Sequence, residues 1–341
     1  MKNIFKGKNI LVTGGTGSIG SEIVFSLLKY SPKVIRVLDN NESASFYLRQ
    51  RLGKNVKKVR FLIGDVRDKE RLKRAIDDID IVFHAAALKH VDICEYNPFE
   101  SVKTNVLGTQ NLLEAALDGN VERFITISTD KVVNPTSTMG TTKLLAERLT
   151  IDANYYKGKR KTIFSCVRFG NVMGSNGSVI PLFKEQVKNG GPLTVTEPDM
   201  IRFMMSMRQA VDMILNAASM MHGGEIFIFK MPTIKLKDLT SVMIEELAPK
   251  YGHKKSDIGI NKIGIRRGEK LYEDLVTDGE LKHTVETRDM FIILPDAPEE
   301  HIRKPAHRGI EKVKSKSYSS KNTKTLSKGQ IKKLLLKEGL I

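Results

Sequence analysis

The sequence predicts an α/β fold, in which a doubly wound parallel sheet carries a smaller C-terminal α/β lobe. Up to about residue 170, short apolar runs alternate with longer amphipathic runs, as expected for strands connected by helices. A glycine-rich turn follows the first apolar run directly. After Gly170 the alternation weakens and glycine, proline and methionine become frequent, which indicates a lobe built from long excursions of the sheet.

The individual elements follow from the periodicity of the apolar residues. Strands are predicted at residues 9–13, 34–38, 59–63, 79–85, 123–128 and 162–168. One helix begins near Ser18, a second covers much of 99–116, and a third extends from about Met139 to Tyr156. The resulting organisation is a sheet domain at 1–170, a lobe at 171–295 that is interleaved with the sheet, and a basic extension at 296–341.

The composition is that of an ordinary globular protein. Of the 341 residues, 40% are hydrophobic and 28% are charged, and no apolar run approaches the roughly 18 residues that span a bilayer. The chain enters its first strand without a signal-peptide core, so we expect a cytoplasmic location and no integral membrane segment. The two cysteines, Cys94 and Cys166, lack metal-ligand spacing; we expect buried thiols and no metal site.

The net charge of +17 is concentrated at the C-terminus. Residues 301–341 contain 12 Lys and Arg against 2 Asp and Glu, which leaves +7 for the first 300 residues. Apart from Tyr318, this segment has no aromatic residues interleaved for stacking on bases. We therefore expect a solvated or subunit-contacting tail and no nucleic-acid partner.

A dinucleotide site is predicted where the first strand meets the first helix. Gly14, Gly17 and Gly20 have the spacing that lets a backbone turn tightly and approach a pyrophosphate, as in a Rossmann domain. Asp39 ends the second strand about 20 residues on, where a carboxylate accepts hydrogen bonds from ribose hydroxyls and repels a 2′-phosphate. The predicted cofactor is therefore NAD. The predicted NAD contacts are Gly14, Thr16, Gly17, Ser18, Ile19, Gly20, Asp39, Asn40, Asp65, Val66, Ala85, Ala86, Ala87, Asn105 and Lys143.

A catalytic site is predicted in two segments that follow the fifth strand. The usual hydroxyl-oxidising pair of short-chain dehydrogenases is a Tyr followed four positions later by Lys, and here Lys143 follows Met139. Methionine cannot accept a proton. Asp130 and Lys131 supply an adjacent acid and base, which indicates more steps than simple alcohol oxidation. Lys143 is expected to bind the nicotinamide ribose.

Four segments together resemble the UDP-N-acetylglucosamine 4,6-dehydratases, a family of extended short-chain dehydrogenases in surface-polysaccharide synthesis. They are residues 13–22 (TGGTGSIGSE), 86–91 (AALKHV), 128–131 (STDK) and 267–271 (RGEKL). The resemblance extends over roughly residues 4–295, and one branch of this family carries Met where other dehydrogenases carry the catalytic Tyr. It implies NAD, a UDP-N-acetylglucosamine substrate and a homo-oligomer, either a dimer or a hexamer.

The resemblance also implies a three-step reaction. Hydride leaves C4 of the sugar, water is eliminated across C5 and C6, and the same hydride returns to C6. Lys131 is the expected base for the C5 proton and Asp130 the expected acid for the C6 hydroxyl, roles that require a neutral lysine and a protonated aspartate. Thr129 is our candidate for the group that receives the C4 hydroxyl proton.

Substrate contacts are expected from residues after the fourth and sixth strands and from the lobe. Lys89 and His90 lie near the sugar in the family, Asn171 aligns with a diphosphate ligand, and Arg202 and Arg267 suit phosphate oxygens. Arg266 can take the place of Arg267. The nearby Glu269 completes the predicted substrate-binding set.

Two other functions remain open at this level. A UDP-sugar 4-epimerase uses the same NAD site, but it has no need of Asp130 and Lys131 and normally relies on the missing Tyr. A non-enzymatic nucleotide sensor agrees with Met139 but not with a retained acid and base pair. Within the dehydratases, Asp39 and Met139 favour the branch that retains the configuration at C5.

Overall fold

The computed structural model describes residues 3–295, 311–313 and 318–341. The strands are β1 (Asn9–Thr13), β2 (Val34–Asp39), β3 (Val59–Ile63), β4 (Ile81–His84), β5 (Arg123–Ile127), β6 (Ile163–Arg168), β7 (Asn171–Val172), β8 (Leu193–Val195), β9 (Ile201–Met205), β10 (Ile226–Phe229), β11 (Thr233–Lys235), β12 (Ile260–Lys262), β13 (Asp274–Val276), β14 (Thr284–Glu286), β15 (Met290–Ile293), β16 (Glu311–Lys312) and β17 (Tyr318–Ser319).

The helices lie between these strands and after them. They are α1 (Ser18–Leu27), α2 (Glu42–Leu52), α3 (Lys69–Ile76), α4 (Val91–Tyr96), α5 (Pro98–Ser101), α6 (Gly108–Asp118), α7 (Thr138–Tyr156), α8 (Val179–Lys188), α9 (Met207–Met220), α10 (Leu236–Leu247), α11 (Asp278–Leu281) and α12 (Lys328–Lys337). A π-helical turn, Val102–Leu107, joins α5 to α6. Within the described residues, no helix is both long and apolar enough to cross a bilayer.

The central sheet has the strand order β16-β14-β15-β10-β6-β5-β4-β1-β2-β3. The strands from β3 across to β10 are parallel, and β15, β14 and β16 add antiparallel pairs at one edge. This is the doubly wound order, with its switch point between β1 and β4. The predicted α/β fold is confirmed, and each of the six predicted strands is present within two residues of its expected ends.

Burial on both faces explains why these strands are continuous apolar runs. Every residue of β1 and β4 is buried, because helices cover both sides of the sheet. Helices α3 and α6 pack on one face around Leu72 and Leu112, while α1 and α9 pack on the other face around Ile23 and Ile214. All carboxyl ends of the parallel strands consequently point to one edge, where a ligand site is expected.

The lobe has its own apolar core. Phe183 of α8, Leu239 and Met243 of α10, and Leu193 of β8 are fully buried together. Strands β10, β14 and β15, which belong to the segment 171–295, join the edge of the central sheet. The segment 171–295 therefore supplies strands to both parts of the molecule.

The prediction of a solvated tail is wrong for residues 318–341. Strand β17 pairs with β13, and helix α12 buries Ile331 and Leu335 in the lobe core beside α10. The helix is amphipathic: its apolar residues are spaced along one face, while its lysines occupy the other. The net charge of the segment gave no indication of this apolar stripe. The remaining tail residues, 296–310 and 314–317, lie outside the described part of the chain.

Candidate active site

A cleft of about 700 Å³ lies at the carboxyl edge of the parallel strands. It collects most of the predicted site residues, from the glycine-rich turn at one end to the lobe at the other. The predicted residues that line it are Gly14, Thr16, Gly17, Ser18, Ile19, Gly20, Asp39, Asn40, Asp65, Val66, Ala85, Ala86, Ala87, Lys89, His90, Thr129, Lys131, Met139, Lys143, Asn171 and Glu269.

The glycine-rich turn is packed so closely that no side chain fits there. A Cβ atom at Gly14, where φ is +62°, would lie 2.6 Å from the backbone nitrogen of Ala86. A Cβ atom at Gly20 would lie 2.2 Å from the carbonyl oxygen of Gly14. The turn therefore leads directly into α1, whose first N–H groups face the cleft edge and favour an anion.

Two carboxylates stand beside the turn. Asp39 accepts hydrogen bonds of 3.0 Å from the backbone N–H groups of Thr16 and Asn41, which fixes its orientation at the end of β2. Asp65 is held by Arg67 and Asn40. The hydrogen bond from Arg67 is the main cause that lowers the pKa of Asp65 to about 2, so this group is ionised at neutral pH.

Asp130 and Lys131 form a hydrogen-bonded ion pair directly after β5. Lys131 Nζ donates to Asp130 Oδ1 over 2.8 Å, and Thr129 Oγ1 donates to the same oxygen over 2.9 Å. Asp130 is fully buried and lies behind the cleft wall that Thr129 and Lys131 form. Its other oxygen, Oδ2, has no hydrogen-bond partner among the described residues.

The protonation of Lys131 in the free protein differs from the one that we expected. Burial acts to lower its pKa, but the charges of Asp130 and Glu273 outweigh burial and leave the pKa raised. Lys131 is therefore a cation here, whereas the elimination step requires it neutral. The physical reason is that two carboxylates face a single ammonium group.

Lys143 and Met139 lie on the first turns of α7. Lys143 Nζ donates a hydrogen bond of 2.6 Å to the carbonyl oxygen of Ile127, at the end of β5. Burial lowers the pKa of Lys143 to about 8. The Met139 side chain is buried and lines the cleft four positions before Lys143, so it supplies an apolar wall and no proton acceptor.

Three predicted contacts do not line the cleft. Asn105 is buried and holds the chain after β4 to α7, by bonds to the Leu88 backbone and to Thr142 Oγ1. The Arg202 guanidinium donates to the carbonyl oxygens of Lys270 and Leu271. Asn105, a predicted NAD contact, and Arg202, a predicted substrate contact, instead form hydrogen bonds that hold neighbouring segments of the chain.

Arg267 is the third of these residues. Its side chain is 89% exposed and lies 3.6 Å from Glu95, while its neighbour Arg266 lines the cleft. The difference follows from Gly268, which has a φ of +81° and turns the chain back towards Glu269. The sequence left open which of the two arginines serves as the phosphate ligand, and in the structure it is Arg266 that lines the cleft.

Two features of the site were missed at the level of sequence. Glu273 is buried, and its Oε1 lies 4.0 Å from Lys131 Nζ. Asn176 lines the cleft on a lobe loop, where its carbonyl oxygen accepts a hydrogen bond of 2.5 Å from Lys89 and its N–H donates to Ser18. Glu273 follows the RGEKL segment by two positions, but nothing in the sequence indicates that it approaches Lys131.

The fold and this cleft define a dinucleotide-dependent enzyme of the extended short-chain dehydrogenase type. The chain belongs to the family of polysaccharide biosynthesis proteins, which matches residues 10–295. It is 60% identical over 337 residues to an uncharacterised membrane protein of Methanocaldococcus jannaschii, covering 98% of this chain and 97% of that protein.

Two further relatives carry named activities. The inverting UDP-N-acetylglucosamine 4,6-dehydratase of Campylobacter jejuni is 42% identical over 294 residues, covering 86% of this chain and 84% of that protein. A UDP-glucose 4-epimerase of Rickettsia conorii is 40% identical over 338 residues, covering 98% and 96%. The chain is therefore an enzyme of the nucleotide-sugar dehydratase and epimerase class.

Solved structures agree with this class. Pen from Bacillus thuringiensis superimposes with a TM-score of 0.93 at 44% identity, over 99% of both chains. DesIV, a dTDP-glucose 4,6-dehydratase of Streptomyces venezuelae with NAD bound, gives a TM-score of 0.68 at 26% identity, over 77% of this chain and 86% of that chain.

Proposed function

We propose that this chain is an NAD-dependent UDP-N-acetylglucosamine 4,6-dehydratase, which forms a UDP-4-keto-6-deoxy-N-acetylhexosamine for surface polysaccharide or glycan synthesis. The observation that carries the proposal is the 2.8 Å hydrogen bond between Lys131 and Asp130 at the cleft wall. Oxidation of a hydroxyl does not need this acid and base pair, whereas elimination of water needs both groups. The named activity of the Campylobacter relative supports the choice of substrate.

The cofactor is NAD, and the glycine-rich end of the cleft fits it. The absence of Cβ atoms at Gly14 and Gly20 lets the turn pack tightly against Ala86 and lead into α1, and the N-terminus of a helix after such a turn suits a pyrophosphate. The carboxylate of Asp39 suits free ribose hydroxyls and would repel a 2′-phosphate. When bound, NAD supplies the acceptance and the return of a hydride, and Lys143 on the adjoining wall would orient its nicotinamide ribose.

The proton movements fall to three neighbouring residues. A single proton transfer along the bond from Lys131 to Asp130 turns the ion pair into the neutral base and protonated acid that elimination requires. Lys131 then takes the C5 proton. Because Asp130 lies behind the wall, Thr129, which bonds to it over 2.9 Å, passes the proton to the departing C6 hydroxyl. Thr129 also remains our candidate for the group that receives the C4 hydroxyl proton, which its hydroxyl would relay to water or to the ribose of the cofactor.

The lobe end of the cleft suits the diphosphate. Lys89 and Arg266 bring positive charge to the lining, and Asn171 adds an amide at the start of β7. A guanidinium group pairs well with phosphate oxygens, so Arg266 is the proposed ligand in place of Arg267. The expected homo-oligomer stays a prediction.

A 4-epimerase is the second candidate, because the Rickettsia relative is named for that activity. Epimerisation at C4 returns the hydride to C4 and breaks no bond at C5 or C6. An acid and base pair for elimination would then have no task, and Met139 stands where epimerases normally use Tyr. The acid and base pair and Met139 together favour the dehydratase.

The decisive experiment incubates the purified protein with NAD and UDP-N-acetylglucosamine in deuterated water. Dehydration predicts loss of one water from the sugar and one solvent deuteron at C5, measured by mass spectrometry and NMR. Epimerisation predicts an isomer of unchanged mass without deuterium, and a sensor leaves the sugar intact. Lys131→Ala is expected to bind both ligands but to form no dehydrated product; unchanged turnover would reject Lys131 as the base.

The same NMR spectra report the configuration at C5. Retention, which Asp39 and Met139 favoured at the level of sequence, is untested. The Campylobacter relative is named as inverting and favours the opposite product. The coupling of the C5 proton to its neighbours, recorded in ordinary water, distinguishes the two products.

A further inference from the structure

We infer that Glu273 is a positioning residue of this site, which controls where the proton shared by Asp130 and Lys131 resides. The inference rests on the proposed dehydration. Glu273 does not line the cleft, so it acts through Lys131 and not on the sugar. Its Oε1 lies 4.0 Å from Lys131 Nζ, and the side chain is only 2% exposed.

The position of Glu273 is fixed by the C-terminal segment. Its backbone N–H donates to Ser320 Oγ over 2.9 Å, and its carbonyl oxygen accepts from the Ser320 N–H over 2.8 Å. Ser320 is fully buried and also donates to the carbonyl oxygen of Ile201. These bonds hold the carboxyl group of Glu273 beside Lys131; among the described residues, its Oε2 has no hydrogen-bond partner.

Four charged groups act on this carboxyl. Lys131, Arg202 and Lys270 favour its ionised form, while Asp130 opposes it. Lys270 Nζ lies 4.0 Å from Oε2, but it is engaged with the carbonyl oxygen of Val133. Burial is the largest influence, and together with Asp130 it leaves the pKa of Glu273 raised.

The charge of Glu273 decides how readily the pair reaches its reactive form. Elimination needs the proton to move from Lys131 to Asp130. An ionised Glu273 at 4.0 Å stabilises the Lys131 ammonium, so it lowers the equilibrium constant for this proton transfer by about tenfold or more. A protonated Glu273 has no such attraction, so it leaves the proton free to move. The reactive form in this proposal is therefore the one with Glu273 protonated, a form that its raised pKa favours relative to an ordinary carboxyl group.

Glu273→Gln tests this, because glutamine keeps the shape and removes the ionisation. We expect the kcat of the wild type to fall about tenfold as the pH rises through the pKa of Glu273, while that of Glu273→Gln changes less than about threefold over the same range. KM and NAD affinity should be unchanged. The readout is the ratio of the kcat of the wild type to the kcat of Glu273→Gln, measured as a function of pH. Because Lys143 is present in both proteins, its titration cancels in this ratio.

Two further variants separate this role from a structural one. Glu273→Asp keeps a titrating carboxyl and should restore a pH-dependent ratio. Glu225→Gln removes another buried carboxyl, just before β10 at the opposite edge of the sheet, and should give a flat ratio near one. A wild type that forms no dehydrated sugar defeats the proposed function and this inference with it. Dehydration with the same decline of kcat with pH in Glu273→Gln as in the wild type defeats the inference alone.

Discussion

Lys143 Nζ donates a 2.6 Å hydrogen bond to the carbonyl oxygen of Ile127, which ties α7 to the end of β5. The bond fixes the lysine at the cleft wall, but it does not compensate for the water lost on burial, so the pKa falls to about 8. The protein thus holds a lysine that titrates near neutral pH beside the predicted nicotinamide site.

This burial predicts a pH-dependent stability. Because the pKa of Lys143 is about 8 in the folded protein and near its ordinary 10.5 when unfolded, the unfolded chain binds more protons between these values. The free energy of unfolding of the wild type should therefore rise relative to Lys143→Met, by up to about 3 kcal/mol, as pH increases through this window. Urea denaturation at several pH values measures it. Lys184→Met, an exposed substitution on α8, should give no pH-dependent difference.

The buried Arg168 predicts a large loss of stability on substitution. Its guanidinium pairs with Glu147 and Glu280, and it also donates to the carbonyl oxygen of Leu275. Arg168→Met leaves Glu147 buried without its charge partner and should lower the free energy of unfolding by about 3–5 kcal/mol.

The matched control for Arg168 is an arginine in an exposed ion pair. Arg160 lies 3.4 Å from Asp118, and both side chains are exposed. Arg160→Met should cost less than about 1 kcal/mol in chemical denaturation. Equal losses for the two variants would contradict the role given to the buried network.

The sheet was predictable because its physical cause is local. Strands buried on both faces must be apolar throughout, and this is visible in β1 and β4 without a structure. The π-helical turn Val102–Leu107 was not predictable, since the residues 99–116 fit a regular helix. Helix α12 was concealed by its lysines, although Ile331 and Leu335 have the helical spacing of a buried stripe.

The same distinction applies to the site. Asp39 and Lys131 could be found because the first ends a parallel strand and the second lies a few residues beyond the end of another, and all such ends share one edge. Glu273 could not, because its approach to Lys131 depends on how the lobe loop folds and on the clamp by Ser320. The choice between Arg266 and its neighbour likewise depends on a backbone turn that side-chain chemistry does not reveal.

Asp39 predicts the choice of dinucleotide. Its carboxylate is oriented by the N–H groups of Thr16 and Asn41 at the cofactor end of the cleft. Asp39→Asn should weaken NAD binding about tenfold, because a hydrogen bond to a charged group is replaced by one to an amide, while the preference against NADP shrinks. Titration calorimetry with both dinucleotides measures this. Asp152→Asn, on an exposed part of α7, should leave both affinities unchanged.

Helix α12 predicts that the basic C-terminus stabilises the lobe. Leu335 is fully buried in the lobe core, whereas its neighbour Leu336 is 48% exposed, so one helix offers the same substitution at both kinds of position. Leu335→Ala should lower the free energy of unfolding by about 2–5 kcal/mol through lost burial and the cavity it leaves. Leu336→Ala should change it by no more than about 0.5 kcal/mol. Thermal and chemical denaturation of both variants check this; a harmless Leu335→Ala would mean that the segment is a tail after all.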